Sequence, residues 1–247
     1  MLLVTKLGAR QLQAAKDIKA SGIEVKAYYS TNSVYFENSY DSKNHRTQRL
    51  LAKADPFEIE DFNDVDAEIY HLGTLLSDDI STDVIKYLAG KGKVSVDAQG
   101  YLRKVEGEAV LPNDWAEKNE ALKYITILKV NKHEMEALTG LTDPYRAAES
   151  LAAAGVKEVV ITLGENGSLI LSEGRFHEIP AYKPEVIVDA TGCGDTYMAG
   201  YLYQRGRGTD ITEAGRFAAA MCTLKLQASG PFTSTAEDVE AIINRAL

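Results

Sequence analysis

Asp195 directly follows Gly192-Cys193-Gly194, two glycines flanking one small residue, and a helix-forming run over 196–204 comes after it. Glycine at 192 and 194 lets the backbone turn sharply and approach a ligand closely. A helix beginning there leaves unpaired N–H groups and a partial positive charge facing the turn, an arrangement suited to an anion and above all to phosphate. A carboxylate at the mouth of such a hole stands where it can accept a proton from a hydroxyl attacking that phosphate. By spacing alone, the stretch fits equally well a glycine-rich loop whose aspartate only caps the helix. Two other stretches carry chemistry at the ends of apolar runs. Asn131 follows the run 125–130, and Glu134 lies one turn into the helix-forming run 132–138. A carboxylate at that place compensates a helix dipole, worth about 0.3–1 kcal/mol, whatever else it does. Gly164 and Gly167 bracket a tight turn between the runs 158–162 and 168–171.

The elements that must hold these residues follow a βα rhythm. From about residue 67 to 226, short apolar runs alternate with helical stretches, which argues a parallel sheet with helices on both faces. The run 68–73 is a strand ending in glycine, and 94–99 is a strand with Asp97 near its C-terminal end, the rim at which α/β proteins bind ligands. His71 is expected to be a packed strand residue, with nothing near it in sequence to orient it. Trp115 and the acidic 117–120 read as a solvated helix, and 185–188 as the strand feeding the Gly192 turn. Ala214, Phe217, Ala218, Met221 and Cys222 share one face of a long helix. The run 236–246 is an amphipathic closing helix.

The N-terminal part breaks the rhythm. Residues 1–5 read as a buried strand of the core and 10–21 as a helix. Three strands then follow with no helix between them, 23–28, 33–40 and 46–51, with turn chemistry at 41–44. They predict a small antiparallel sheet standing off the main domain. The expected division is therefore a core of 1–22 and 52–247 and a β appendage of 23–51.

The totals exclude several classes. With 247 residues, 45% hydrophobic and 26% charged, the chain suits one α/β domain, or one with a small appendage. A net charge of −9 and no Lys/Arg cluster argue against nucleic acid as a partner. No apolar run nears the roughly 18 residues that span a bilayer. The two cysteines, Cys193 and Cys222, form neither a C-x-x-C pair nor a metal set with the four histidines, and read as reduced thiols of a cytoplasmic protein. No G-x-G-x-x-G follows the first strand, and Gly90-Lys91 and Gly92-Lys93 lack the frame of a P-loop.

The stretch Asp189-Ala190-Thr191-Gly192-Cys193-Gly194-Asp195 resembles the C-terminal signature of the PfkB (ribokinase-like) sugar and nucleoside kinases, Asp-Thr-Thr-Gly-Ala-Gly-Asp, with Ala190 and Cys193 as departures. Three more stretches agree in order and spacing. Asn131-Lys132-His133-Glu134 is similar to the family's Asn-x-x-Glu. The run 160–167 is similar to its nucleotide-side strand and turn, and Ala218-Ala219-Ala220 with Gly230 to its adenine-side helix and closing turn.

The resemblance implies a ribokinase-like α/β sandwich, with 23–51 as a β lid over the sugar and a homodimer surface. Tyr28, Tyr35 and Phe36 are candidate lid contacts. It implies ATP-dependent phosphoryl transfer to a hydroxyl of a sugar-like small molecule, with Asp195 as general base and Gly192, Cys193 and Gly194 as anion hole. Asn131 and Glu134 would order Mg²⁺ and its waters on the ATP phosphates, Thr162, Gly164 and Gly167 would lie by the nucleotide, and Ala219 and Thr223 by adenine. Asp189 and Thr191 would hold a monovalent cation, K⁺. The family's opening strand with a substrate aspartate, and its Gly-Gly motif, do not occur in these 247 residues. The rival expectation is therefore a non-catalytic kinase-like fragment that binds nucleotide or only dimerises.

Overall fold

The computed structural model describes residues 1–40 and 46–245, so the turn expected at 41–44 lies outside the described residues. In chain order the elements are β1 (Leu2–Leu7), α1 (Leu12–Ala20), β2 (Glu24–Tyr29), β3 (Tyr35–Tyr40), β4 (Arg46–Ala52), β5 (Ile69–Leu72), α2 (Thr82–Ala89), β6 (Lys93–Asp97), β7 (Arg103–Glu106), β8 (Ala109–Pro112), α3 (Lys118–Ala121), β9 (Ile127–Asn131), α4 (Lys132–Thr139), α5 (Pro144–Ala153), β10 (Glu158–Thr162), β11 (Ser168–Ser172), β12 (Arg175–Ile179), α6 (Cys193–Gly206), α7 (Ile211–Leu226) and α8 (Ala236–Arg245).

Contacts group the chain into two compact units: Met1–Val65 with Thr74–Tyr87 and Gln99–Trp115, and Asp66–Gly73 with Leu88–Ala98 and Ala116–Leu247. The second unit is built on a six-stranded sheet in the order β12-β11-β10-β9-β6-β5. β5, β6, β9 and β10 run parallel, while β11 and β12 are antiparallel additions. All but the last residue of β9 and of β10, and all of β11, are buried. A strand buried at successive positions has both faces covered, the mark of a parallel-type sheet between helices. Ile127, Val160, Ile170 and Ile179 of one face pack with Tyr197, Met198 and Tyr201 of α6 and Ala214, Ala218 and Ala219 of α7. The small residues of α7 permit close approach: a Cβ on Gly200 of α6 would come 3.1 Å from the Ala218 Cα and 2.6 Å from the Met221 sulfur.

Two expectations fail here. Residues 185–188 form no strand. Val186, Ile187 and Val188 are exposed, and Val188 N and Asp189 N both donate to Leu226 O at the end of α7. Their β-branched composition gave a strand signal, but no neighbouring strand edge takes up their hydrogen bonds. Trp115 is not part of a solvated helix: it is 5% exposed and stacks on Tyr101 with ring centroids 4.0 Å apart.

In the first unit, β1 is half-buried along its length and pairs in parallel with β2, with α1 as the crossover. β2 thus does not join an antiparallel trio. The antiparallel sheet has the order β3-β4-β8-β7, so its second half comes from 103–112, which the sequence reading left unassigned. Hence residues 1–22 group with the β region instead of with the larger sheet. Of the lid candidates, the Tyr28 hydroxyl donates to Asp61 O at 2.6 Å, Phe36 lies under the Arg103 guanidinium, and Tyr35 is exposed.

Candidate active site

Register aligns the C-terminal ends of four parallel strands. Leu72 pairs with Val96, Asp97 with Lys129, and Asn131 with Thr162. The rim of the sheet therefore carries Asp97 on β6, Lys129 and Asn131 on β9 and Thr162 on β10, three adjacent strands, where an α/β sheet offers a site.

Asn131 ends β9 and caps α4. Its side-chain oxygen accepts from Glu134 N at 3.0 Å, and Glu134 Oε2 accepts from Asn131 N at 2.7 Å, a reciprocal capping box. Asn131 Nδ2 also donates to Glu134 Oε1 at 2.7 Å. Both Glu134 oxygens are thus engaged by Asn131. Among the described residues no group of three or more His, Cys, Asp or Glu is arranged to hold a metal by itself.

Lys129 was not a candidate in the sequence, yet it stands at the centre of the arrangement. Its side chain is 5% exposed, with Nζ 2.9 Å from Asp97 Oδ2 and 3.8 Å from Glu134 Oε2. Burial opposes its charge, but Asp97, Glu134 and Asp195 outweigh that cost and hold its pKa above the ordinary lysine value. A Cβ placed on Gly194 would lie 3.0 Å from this Nζ, so the ammonium backs directly onto the glycine loop.

Gly192, at φ 78°, is the N-cap of α6, in the left-handed region that favours glycine. Cys193 N donates to Ala190 O at 3.2 Å and Thr196 N to Gly192 O at 2.8 Å. The N–H groups of Gly192 and Gly194 have no hydrogen-bond partner among the described residues. Asp195 lies in the first turn of α6 and is exposed. The anion-hole reading and the carboxylate thus meet at one helix start, although Cys193 N has a protein acceptor already. Burial raises the thiol pKa of half-buried Cys193 and pushes that of Cys222 up to about 12, and Cys222 Sγ donates to Cys193 O at 3.1 Å. Both thiols stay protonated at neutral pH.

His71 departs from its expectation. Strand alternation buries Tyr70 and Leu72 and turns His71 to the open face, where it is exposed and its Nδ1 lies 3.1 Å from Ser95 Oγ. The protein around the ring lowers its pKa, with Asp97 and Asp195 pulling upward and Lys129 adding to the lowering, so the ring is neutral near pH 7.

The remaining candidates separate. Thr162 is half-buried at the rim, and its hydroxyl reaches Val130 O only at 3.5 Å. Gly164, φ 62°, borders open space. Gly167, φ 82°, is packed so closely that a Cβ would meet Ile179 O at 2.0 Å. Ala219 and Thr223 are 7% and 2% exposed. Ala219 belongs to the core between α6, α7 and the sheet, and the Thr223 hydroxyl is engaged by Tyr182 O and Ala219 O, both at 3.1 Å. Asp189 is half-buried. Its Oδ1 accepts from Thr191 N at 2.8 Å and its Oδ2 from Ser229 Oγ at 3.4 Å, and these bonds, with Lys225 nearby, hold its pKa low.

No helix among the described residues is long and apolar enough to cross a membrane. The family model described as pfkB family carbohydrate kinase matches residues 5–238. A cytidine kinase of Thermococcus kodakarensis is 34% identical over 154 residues, 62% of this chain and 52% of the relative. A nucleoside kinase of Methanocaldococcus jannaschii is 29% identical over 163 residues, 66% of this chain and 50% of the relative. The chain thus spans about half the length of these curated relatives. Among solved structures, the sulfate complex of a pyrophosphate-dependent kinase in the ribokinase family superposes with a TM-score of 0.87 at 30% identity, covering 97% of this chain and 85% of the other. A ribokinase of Thermotoga maritima gives 0.78 at 21%, covering 98% and 81%, and shares the fold. A mixed, mostly parallel sheet accompanied by a small antiparallel one, with the glycine loop and Asp195 at the start of α6, is thus a ribokinase-like fold, and the chain belongs to the pfkB family of carbohydrate kinases.

Proposed function

We propose that the chain catalyses ATP-dependent phosphoryl transfer to a hydroxyl of a sugar-like or nucleoside-like small molecule. The observation that carries this reading is the meeting of three groups at one helix start: the exposed Asp195 carboxylate, the unpartnered N–H groups of Gly192 and Gly194, and the buried Lys129 ammonium behind the loop. Asp195 accepts the proton of the attacking hydroxyl. The loop N–H groups and Lys129 stabilise charge on the transferring phosphoryl, the dominant demand in this chemistry. Asn131 and Glu134 would orient the water around Mg²⁺, and the ion would supply neutralising charge for the donor phosphates. Residues 162–167 border the nucleotide. Exposed Tyr29 and Tyr35, at 74% and 62%, support a homodimer through the β region, and the two free thiols are consistent with the cytoplasm.

A second reading concerns the donor. Ala219 and Thr223 are closed off from solvent, which argues against an adenine contact by these two side chains, and a pyrophosphate-dependent kinase is a close structural relative. Pyrophosphate needs only the phosphate side of the site. The rival non-catalytic reading predicts binding without turnover.

The test is Asp195→Asn in whichever form of the protein turns over a panel of sugars and nucleosides with Mg·ATP or Mg·pyrophosphate. Loss of the base lowers turnover by about 10²–10⁴ and leaves donor affinity and melting temperature near parental. A mutant with parental turnover removes Asp195 from the chemistry, and a preference for pyrophosphate replaces ATP as donor.

A further inference from the structure

Lys225 lies in the last turn of α7 and is 4% exposed. A buried ammonium needs either a carboxylate or a set of oxygens to replace its hydration. Among the described residues no salt-bridge partner lies within reach of Lys225 Nζ. Instead it donates to two backbone carbonyls, Ala228 O at 3.1 Å and Asp189 O at 3.5 Å. Its Cε would stand 3.9 Å from a Cβ on Gly192, so the side chain runs directly behind the turn that opens α6. The Asp189 carboxylate, locked by Thr191 N and Ser229 Oγ, supplies negative field to this spot, and the carbonyl end of α7 adds its dipole. Leu226 O in turn holds Val188 N and Asp189 N, at 2.7 and 3.2 Å.

Carbonyl oxygens from two chain segments around one positive charge, with an aspartate beside them, are the surroundings of a bound monovalent cation. Here the charge belongs to the protein. A K⁺ ion at Asp189 and Thr191 does not fit, because the Asp189 carbonyl is taken by the ammonium and a second cation would meet its repulsion. We propose that Lys225 is a tethered cation: its ammonium occupies the place of a monovalent ion beside the 189–195 loop, fixes that loop against the end of α7, and makes the protein independent of K⁺. Lys225 is thus a positioning residue, acting through the loop. The consequence for turnover rests on the kinase reading above, but the electrostatic claim does not.

The experiment measures melting temperature and Mg·ATP affinity by calorimetry, at equal ionic strength, in the chlorides of K⁺, Na⁺ and N-methylglucamine. The parental protein is expected to show no difference among the three salts. Lys225→Ala opens the carbonyl set, so it should lose about tenfold in ATP affinity in N-methylglucamine, a usual size for coupled sites, and recover it selectively with K⁺. Lys225→Met keeps the buried stem without the charge, and should lose affinity with no recovery in any salt. A parental protein whose melting temperature or ATP affinity rises with K⁺ overturns the proposal. So does a Lys225→Ala or Lys225→Met protein with parental affinity in N-methylglucamine. If the parental protein binds no ATP, the donor assignment falls, while the melting temperatures of the parental chain and the two variants across the salts still decide the role of Lys225.

Discussion

Two turns bracketed by glycines, at 164–167 and at 192–194, do opposite things. At 164–167 the turn joins two strands of one sheet, Leu163 N bonds Gly167 O at 2.8 Å, and Gly167 is pressed against the Ile179 carbonyl. Its glycine exists because a side chain has no room. At 192–194 the turn opens a fourteen-residue helix, N–H groups are left over, and a Cβ on Gly192 would find its nearest neighbours only at 3.9 Å. Here glycine meets the positive φ and keeps the space in front of the backbone clear. The same residue type thus marks tight packing in one place and a vacated, polar surface in the other, and the second has two buried lysines, Lys129 and Lys225, behind it.

Four substitutions test this contrast, in order of expected effect. Asp195→Asn carries the largest, the loss of about 10²–10⁴ in turnover with unchanged stability already described. Gly167→Ala should behave inversely. At φ 82° and ψ −134°, with a Cβ 2.0 Å from Ile179 O, strain and overpacking together cost about 3 kcal/mol. Thermal melts should show a large drop, and a near-parental melting temperature would contradict the packing account. Gly192→Ala lies between the two. The left-handed φ costs about 1–2 kcal/mol, but no clash is added. Turnover should therefore fall by more than the modest loss of stability explains, and a fall in stability alone would make this turn no different from the other. Thr223→Val has the smallest effect. Losing the bonds to Tyr182 O and Ala219 O costs about 1 kcal/mol, and the KM for ATP should not move. A raised KM at parental stability would restore Thr223 to the nucleotide site.

The expectations that held were those tied to local chemistry. Glu134 falls in the first turn of α4 as its place after the apolar run implies, and the structure adds a capping box with Asn131. The glycine turn does open a helix, but it is Gly192, at a left-handed φ, that takes the N-cap, while Asp195 falls inside the first turn instead of capping it. The expectations that failed depended on which neighbour a segment meets. Residues 185–188 have strand composition and no strand partner. β2 pairs with β1 because a helix carries it back in parallel, and β4 pairs with β8 more than fifty residues away. Nothing near His71 in sequence orients it, but its partner Ser95 lies in the adjacent strand, fixed by the pairing of those two residues.

By itself the sequence determined the βα alternation, the sharp glycine turn opening a helix beside Asp195 and the order of the motifs, because each follows from backbone sterics and hydrogen bonding over a few residues. Only the tertiary structure decided where the charges went. Lys129 meets Asp97 across a strand register 32 residues long in sequence, Lys225 meets Asp189 over 36, and Thr223 turns its hydroxyl into the core. Those outcomes rest on register and packing. A buried charge must find its partner wherever the fold puts oxygen atoms within about 3 Å, and no periodicity in the chain records that place.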